Sequence, residues 1–166
     1  SFPFGFKTLK NLGTKKLFFP PFSDCETKWS DESIDNISGY TKPYAIKECY
    51  YLDKNKYPSK DLTEIIKKSI YYEIPVITGF DYVGSMKSYS SNNPLGVKSD
   101  GLWEPKSNEQ VTSGHALCVI GYNDNKFGGA FKIVNSWGVD YGDNGYLWVK
   151  YDDFFEFVTQ IYIVEL

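Results

Sequence analysis

The chain contains no arginine and only one histidine among its 166 residues. Its basic residues are all lysine, and they do not cluster. Arginine is the usual bidentate reader of phosphates and base edges. Without it, and with a net charge of −3, the chain has no electrostatic footprint for nucleic acid. No apolar run approaches the ~20 residues that span a bilayer. There is no C-x-x-C pair, and one histidine is a poor start for a protein zinc site, so neither metal nor cofactor is expected. The sequence begins at Ser1 without a signal peptide, and it reads as a processed product or a fragment. No internal repeat or low-complexity stretch is present.

What remains is enough for one globular domain with a real core. Apolar residues make up 42% and charged residues 23%, ordinary values for a soluble chain. Aromatics are abundant at 18%, and they suit a core and half-buried strand faces. The three cysteines are Cys25, Cys49 and Cys118. Cys118 lies in an apolar run and reads as a small buried hydrophobe. Cys25 and Cys49 could pair with each other or with other cysteines. One glycosylation-type triplet, Asn36-Ile37-Ser38, hints at a secretory route.

In chain order, Phe6, Leu9 and Leu12 can share a helix face that Gly13 ends. Pro20-Pro21 then breaks regular structure, and Phe22 to Gly39 reads as a long loop anchored by Trp29. Ala45 to Leu52 alternates as a strand. A helix is predicted over 61–72, with Asp61 as N-cap and Glu64 as its reciprocal partner. A strand starting near Ile74-Pro75 follows. The polar stretch from Asp81 to Gln110 reads as a loop with a short strand near Leu102-Trp103. Tyr82 and Trp103 are aromatics of that region, read first as packing residues and second as cleft residues. Strands are predicted near 115–122, 130–135, 145–151 and 159–165, with a turn at Asp152–Phe155.

Two motifs carry chemistry. The first is Gly114-His115-Ala116 opening an apolar strand that ends in Gly121-Tyr122. The second is Asn135-Ser136-Trp137-Gly138 at the end of another strand, followed by Tyr141-Gly142 and Gly145-Tyr146. Neighbouring strands could bring imidazole and carboxamide together. An amide oxygen on one ring N–H fixes the tautomer and turns the other nitrogen toward a reacting group.

H-A-x-x-x-x-G-Y followed by N-S-W-G-x-x-Y-G-x-x-G-Y resembles the papain-like cysteine peptidase family. The resemblance implies an α+β, two-lobed papain-like fold. Residues 1–110 would give the remainder of the helical lobe with the crossing helix, strand and loops. Residues 111–166 would give the antiparallel, barrel-like β lobe. It implies His115 as acid–base partner of a cysteine thiolate, Asn135 as the group that orients it, and Trp137 as the indole shielding that bond. Gly114 would border the substrate cleft. Tyr141 stands where the family usually has tryptophan. The substrate would be a peptide or protein, and the setting secreted, lysosome-like or periplasmic more readily than cytoplasmic.

The family's nucleophile motif, Q-x-x-x-C-x-x-[CS]-C-[WF], is not in this sequence. Cys25 is flanked by acidic residues, which oppose a thiolate. Cys49 lies in a strand-like run. Cys118 is three residues past the histidine on one strand, so the two side chains point to opposite faces. The nucleophile is therefore expected on an N-terminal light chain, separated by proteolytic processing, or on a missing upstream segment. Two other readings stay open: a nucleophile-free binding or inhibitory module, and a Cys/His acyltransferase of the transglutaminase type.

Overall fold

The structure is a computed structural model that describes residues 46–93 and 96–165. The predicted helix around Phe6–Leu12, the Trp29 loop, Cys25 and the Asn36 triplet lie outside the described residues. The chain divides into two compact units, residues 1–49 with 164–166, and residues 50–163. The site described below belongs wholly to the second.

Seven strands and two α-helices make up the described chain. They are β1 (Glu48–Tyr51), α1 (Ser59–Tyr71), β2 (Val76–Tyr82), β3 (Leu102–Trp103), β4 (Ser113–Asn123), β5 (Ala130–Val134), β6 (Tyr146–Lys150), α2 (Tyr151–Phe157) and β7 (Val158–Glu165). The strands form one sheet in the order β1-β7-β2-β4-β5-β6-β3. The sheet is mixed: β3 pairs with β6 in parallel, Leu102 opposite Trp148. The β lobe expected to be antiparallel therefore carries one parallel edge strand. No helix among the described residues is long and apolar enough to cross a membrane.

Helix α1 starts two residues earlier than predicted, and Asp61 is not its cap. Pro58 holds the N-cap position without a side-chain bond, and its carbonyl accepts the N–H groups of Asp61 and Leu62. Proline's fixed φ near the first turn suits this role. Asp61 instead lies in the first turn, where its charge meets the positive end of the helix dipole. Glu64 bonds Lys67 at 3.2 Å rather than reaching back. Leu62 and Ile66 are fully buried on the sheet-facing stripe, and the helix packs on β4 and β2.

The predicted turn at Asp152–Phe155 is a helix, α2. Asp152 and Asp153 fall in its first turn. Phe154 and Phe157, three apart, share one face and are buried. Phe154 meets Phe80 at 5.2 Å and Phe131 at 4.8 Å between ring centroids, while Phe157 meets Trp103 at 5.1 Å. Edge-to-face pairs of this kind contribute ~0.5–1.5 kcal/mol each beyond burial. Trp103 is a core residue, its Nε1–H donating to Ser85 Oγ at 2.9 Å. This aromatic core lies under the site, because Phe80 on β2 is the register partner of His115 on β4.

Candidate active site

The site is built at the end of the β4/β5 ladder. The last pair of that ladder sets Cys118 opposite Val134. Antiparallel register carried past it brings the residues after Val134 alongside the start of β4, which is where His115 stands. Asn135 is held there by its own backbone N–H, which donates to the Gly145 carbonyl at 3.0 Å. Val134 and Tyr146 are cross-strand partners, so the loop between β5 and β6 closes directly over the site.

His115 Nε2 and Asn135 Oδ1 are 2.9 Å apart. The Ser136 backbone N–H donates to the same oxygen at 2.8 Å. That backbone donor identifies the atom as the amide oxygen. An amide oxygen only accepts, so Nε2 carries the proton and donates. That leaves Nδ1 as the nitrogen able to exchange a proton with a reacting group. His115 is half-buried and Asn135 is buried.

Trp137 lies nearly flat on the imidazole, with centroids 4.8 Å apart and planes at 22°. Its indole covers one face of the histidine while remaining 38% exposed itself. Two aromatics brace that indole edge-on, Tyr141 at 5.0 Å and Tyr82 at 5.9 Å. Tyr141 is buried and donates its hydroxyl to the Met86 carbonyl at 2.8 Å, and burial pushes that phenol far above its ordinary value. Tyr141 is thus the post on which Trp137 rests. Asn135 Nδ2 is buried and makes no bond of acceptable geometry. It lies near the Tyr141 hydroxyl without bonding it.

The loop needs glycine where the backbone is crowded. Gly142 has φ +54°, and a Cβ there would collide with the Tyr146 carbonyl. Gly145 has φ +90°, and its Cβ would stand 3.1 Å from the Gly138 carbonyl. Gly114 is different. It is exposed and sits on the open side of β4, where an added Cβ would meet only the Phe80 carbonyl at 3.9 Å.

His115, Asn135 and Trp137 therefore come together, with Gly114 adjacent. Cys118 is not part of the group. It lines a separate apolar cavity of about 420 Å³ with Ile77, Ala116 and Val134, and Asn135 closes one wall. Among the described residues Cys118 and Cys49 are both free thiols, and burial pushes both up from the ordinary value, Glu48 adding to it at Cys49. A raised thiol is a poor source of thiolate. Tyr82, read from the sequence first as a packing aromatic and second as a cleft residue, is set against Trp137 by a long-range pairing, Tyr82 opposite Ser113.

The sequence profile of papain family cysteine proteases matches residues 22–161. The chain belongs to this family. Among curated relatives, it is 36% identical over 92 residues to an uncharacterized peptidase C1-like protein of Acanthamoeba polyphaga mimivirus, covering 55% of this chain and 27% of that one. It is 29% identical over 108 residues to cathepsin B-like cysteine proteinase 3 of Ostertagia ostertagi, covering 65% and 55%. The chain thus spans between about a quarter and about half of the relatives it matches. Among solved structures, xylellain, a cysteine protease from Xylella fastidiosa, superimposes with a TM-score of 0.69 at 23% identity, over 97% of this chain and 59% of that one. Procathepsin L2 from Tenebrio molitor larval midgut gives 0.67 at 17% identity, over 98% and 46%. These likenesses establish the α+β papain-like fold.

Proposed function

We propose that this chain supplies the acid–base half of a papain-type peptidase. A cysteine thiolate outside the sequence attacks the peptide carbonyl. The C–N bond breaks as His115, protonated at Nδ1, delivers its proton to the leaving amine. A water molecule then gives a proton back to His115, attacks the thioester carbonyl and releases the acid and the thiolate, which restores the thiolate–imidazolium pair. Asn135 acts through His115 and is a positioning residue. It holds the Nε2–H so that Nδ1 faces the reacting atoms. Trp137 keeps water from the Nε2–Oδ1 bond.

The observation that supports this most is the 2.9 Å contact between His115 Nε2 and Asn135 Oδ1 under a stacked indole. A structural histidine has no need of a dedicated carboxamide and a parallel ring on its face. The family membership supports the reaction class, and the raised thiols of Cys49 and Cys118 favour a nucleophile located elsewhere. That nucleophile resides on a light chain produced by processing or on a segment upstream of this one. In the protein that carries it, His115→Ala is expected to lower kcat/KM for a fluorogenic peptide by ~10²–10⁴-fold. Activity within about tenfold of wild type would remove His115 from that role.

A further inference from the structure

Beyond the Trp137 indole lie two cavities. One, of about 470 Å³, is lined by Tyr82, Lys87, Ser88, Trp137, Asp140 and Tyr141. The other, of about 710 Å³, is lined in part by Ser88, Tyr89, Lys98 and Asp140. They share Ser88 and Asp140, so they form one groove that starts at the ring stacked on His115. One wall of the groove is extended chain tied across its width. The Val97 N–H donates to the Lys87 carbonyl at 2.8 Å, and the Tyr89 N–H to the Val97 carbonyl at 2.9 Å. Those bonds anchor the backbone beside both lysines.

Lys87 and Lys98 are exposed, and neither belongs to an ion pair among the described residues. Several lysines elsewhere in this unit are engaged. Lys67 and Lys150 pair with carboxylates, and Lys126 and Lys132 lie over the Trp148 ring. Asp140, also exposed, stands where the two cavities meet. The order of charge along the groove is therefore positive, negative, positive. Tyr82 and Trp137 give the near end an apolar wall, and Tyr89, 56% exposed, does so at the far end.

We propose that this groove selects substrates carrying acidic residues, read by Lys87 and Lys98 on either side of Asp140. The matching peptide carries more than one acidic side chain. The selectivity rests on the peptidase reading above, whereas the charge pattern of the groove does not. Exposed charge pairs of this kind change affinity about two- to fivefold each, and salt weakens them.

The test uses the full-length protein and two labelled peptides of equal length. One carries two glutamates separated by an alanine, and the other has lysines at those positions. Binding is followed by fluorescence anisotropy on the His115→Ala variant, in which turnover does not interfere, and kcat/KM is measured on the wild type. The acidic peptide is expected to bind about fivefold tighter or more, and less so as salt is raised. Lys87→Glu with Lys98→Glu should invert the preference, and Asp140→Asn should widen it. All three residues are exposed, so circular dichroism of the variants should match wild type. Equal binding of both peptides, no binding of either, or a preference that survives the double reversal overturns the proposal. Equal kcat/KM values that collapse in His115→Ala would sink the groove and leave the peptidase reading standing. Hydrolysis undiminished in His115→Ala, with the acidic preference intact, would do the reverse.

Discussion

At the scale of single residues, the site has a division of labour that substitutions can separate. Asn135 acts only through His115, so Asn135→Ala should lower kcat by about tenfold or more with KM little changed, since misplacing a reacting group is costly while substrate contacts stay. Asn135→Gln should restore part of the loss, which a merely structural role would not predict. Steady-state kinetics on the three proteins decides it. Tyr141→Phe leaves the ring that supports Trp137 but strips the Met86 carbonyl of its donor in a buried place. A loss of ~1–3 kcal/mol in urea unfolding is expected. His115, Asn135 and Trp137 were legible in the sequence because chemistry-bearing residues at fixed offsets carry their own signature. The brace that Tyr82 gives Trp137 and the groove position of Lys87 were not. Both residues reach the site through strand pairing and a folded-back loop, and nothing local in Phe-Asp-Tyr or Met-Lys-Ser announces that.

At the scale of elements, the predicted strands hold to within a few residues, since alternation is written directly into β4 and β5. The misread pieces failed for identifiable reasons. Helix α2 has seven residues, too few for a 3.6-residue period to stand out from a turn rich in aspartate. Its weight in the core follows from three-dimensional partners, Phe80 and Phe131, that sequence does not show as neighbours. Phe154→Ala should therefore cost ~3–5 kcal/mol by chemical denaturation; a loss under about 1 kcal/mol would mean that α2 does not carry the core. A second element-level link ties α1 to the β4–β5 connection. Asp124 accepts from the Tyr151 hydroxyl at 2.7 Å and pairs with Lys67 at 3.0 Å. The Tyr151 bond, then Lys67, holds the Asp124 carboxyl below its ordinary value of 3.8. A depressed folded pKa contributes stability that is present above the unfolded value and lost as pH falls through the folded one. Wild type should thus melt above Asp124→Asn at neutral pH, with the gap closing as pH drops below 3.8. Asp124 is 54% exposed, so the difference stays within about 1 kcal/mol. Thermal melts at several pH values check both sign and size.

At the scale of the molecule, this chain carries a positioned imidazole without a suitable thiol among its described residues. The fold class could be read from the motifs through family resemblance, yet the parallel β3 edge could not. Leu102-Trp103 is two residues long, and its direction is set only by where the preceding loop ends. We propose that His115 and Asn135 activate a cysteine that is not Cys25, Cys49 or Cys118. The direct measurement is alkylation of the full-length protein with a thiol-reactive epoxide peptide mimic, followed by peptide mapping in wild type and His115→Ala. One adduct is predicted, on a cysteine outside these three, forming at least tenfold more slowly in the variant, as general acid–base assistance would require. An adduct on Cys25, Cys49 or Cys118, or one that forms equally fast without the imidazole, would contradict the account.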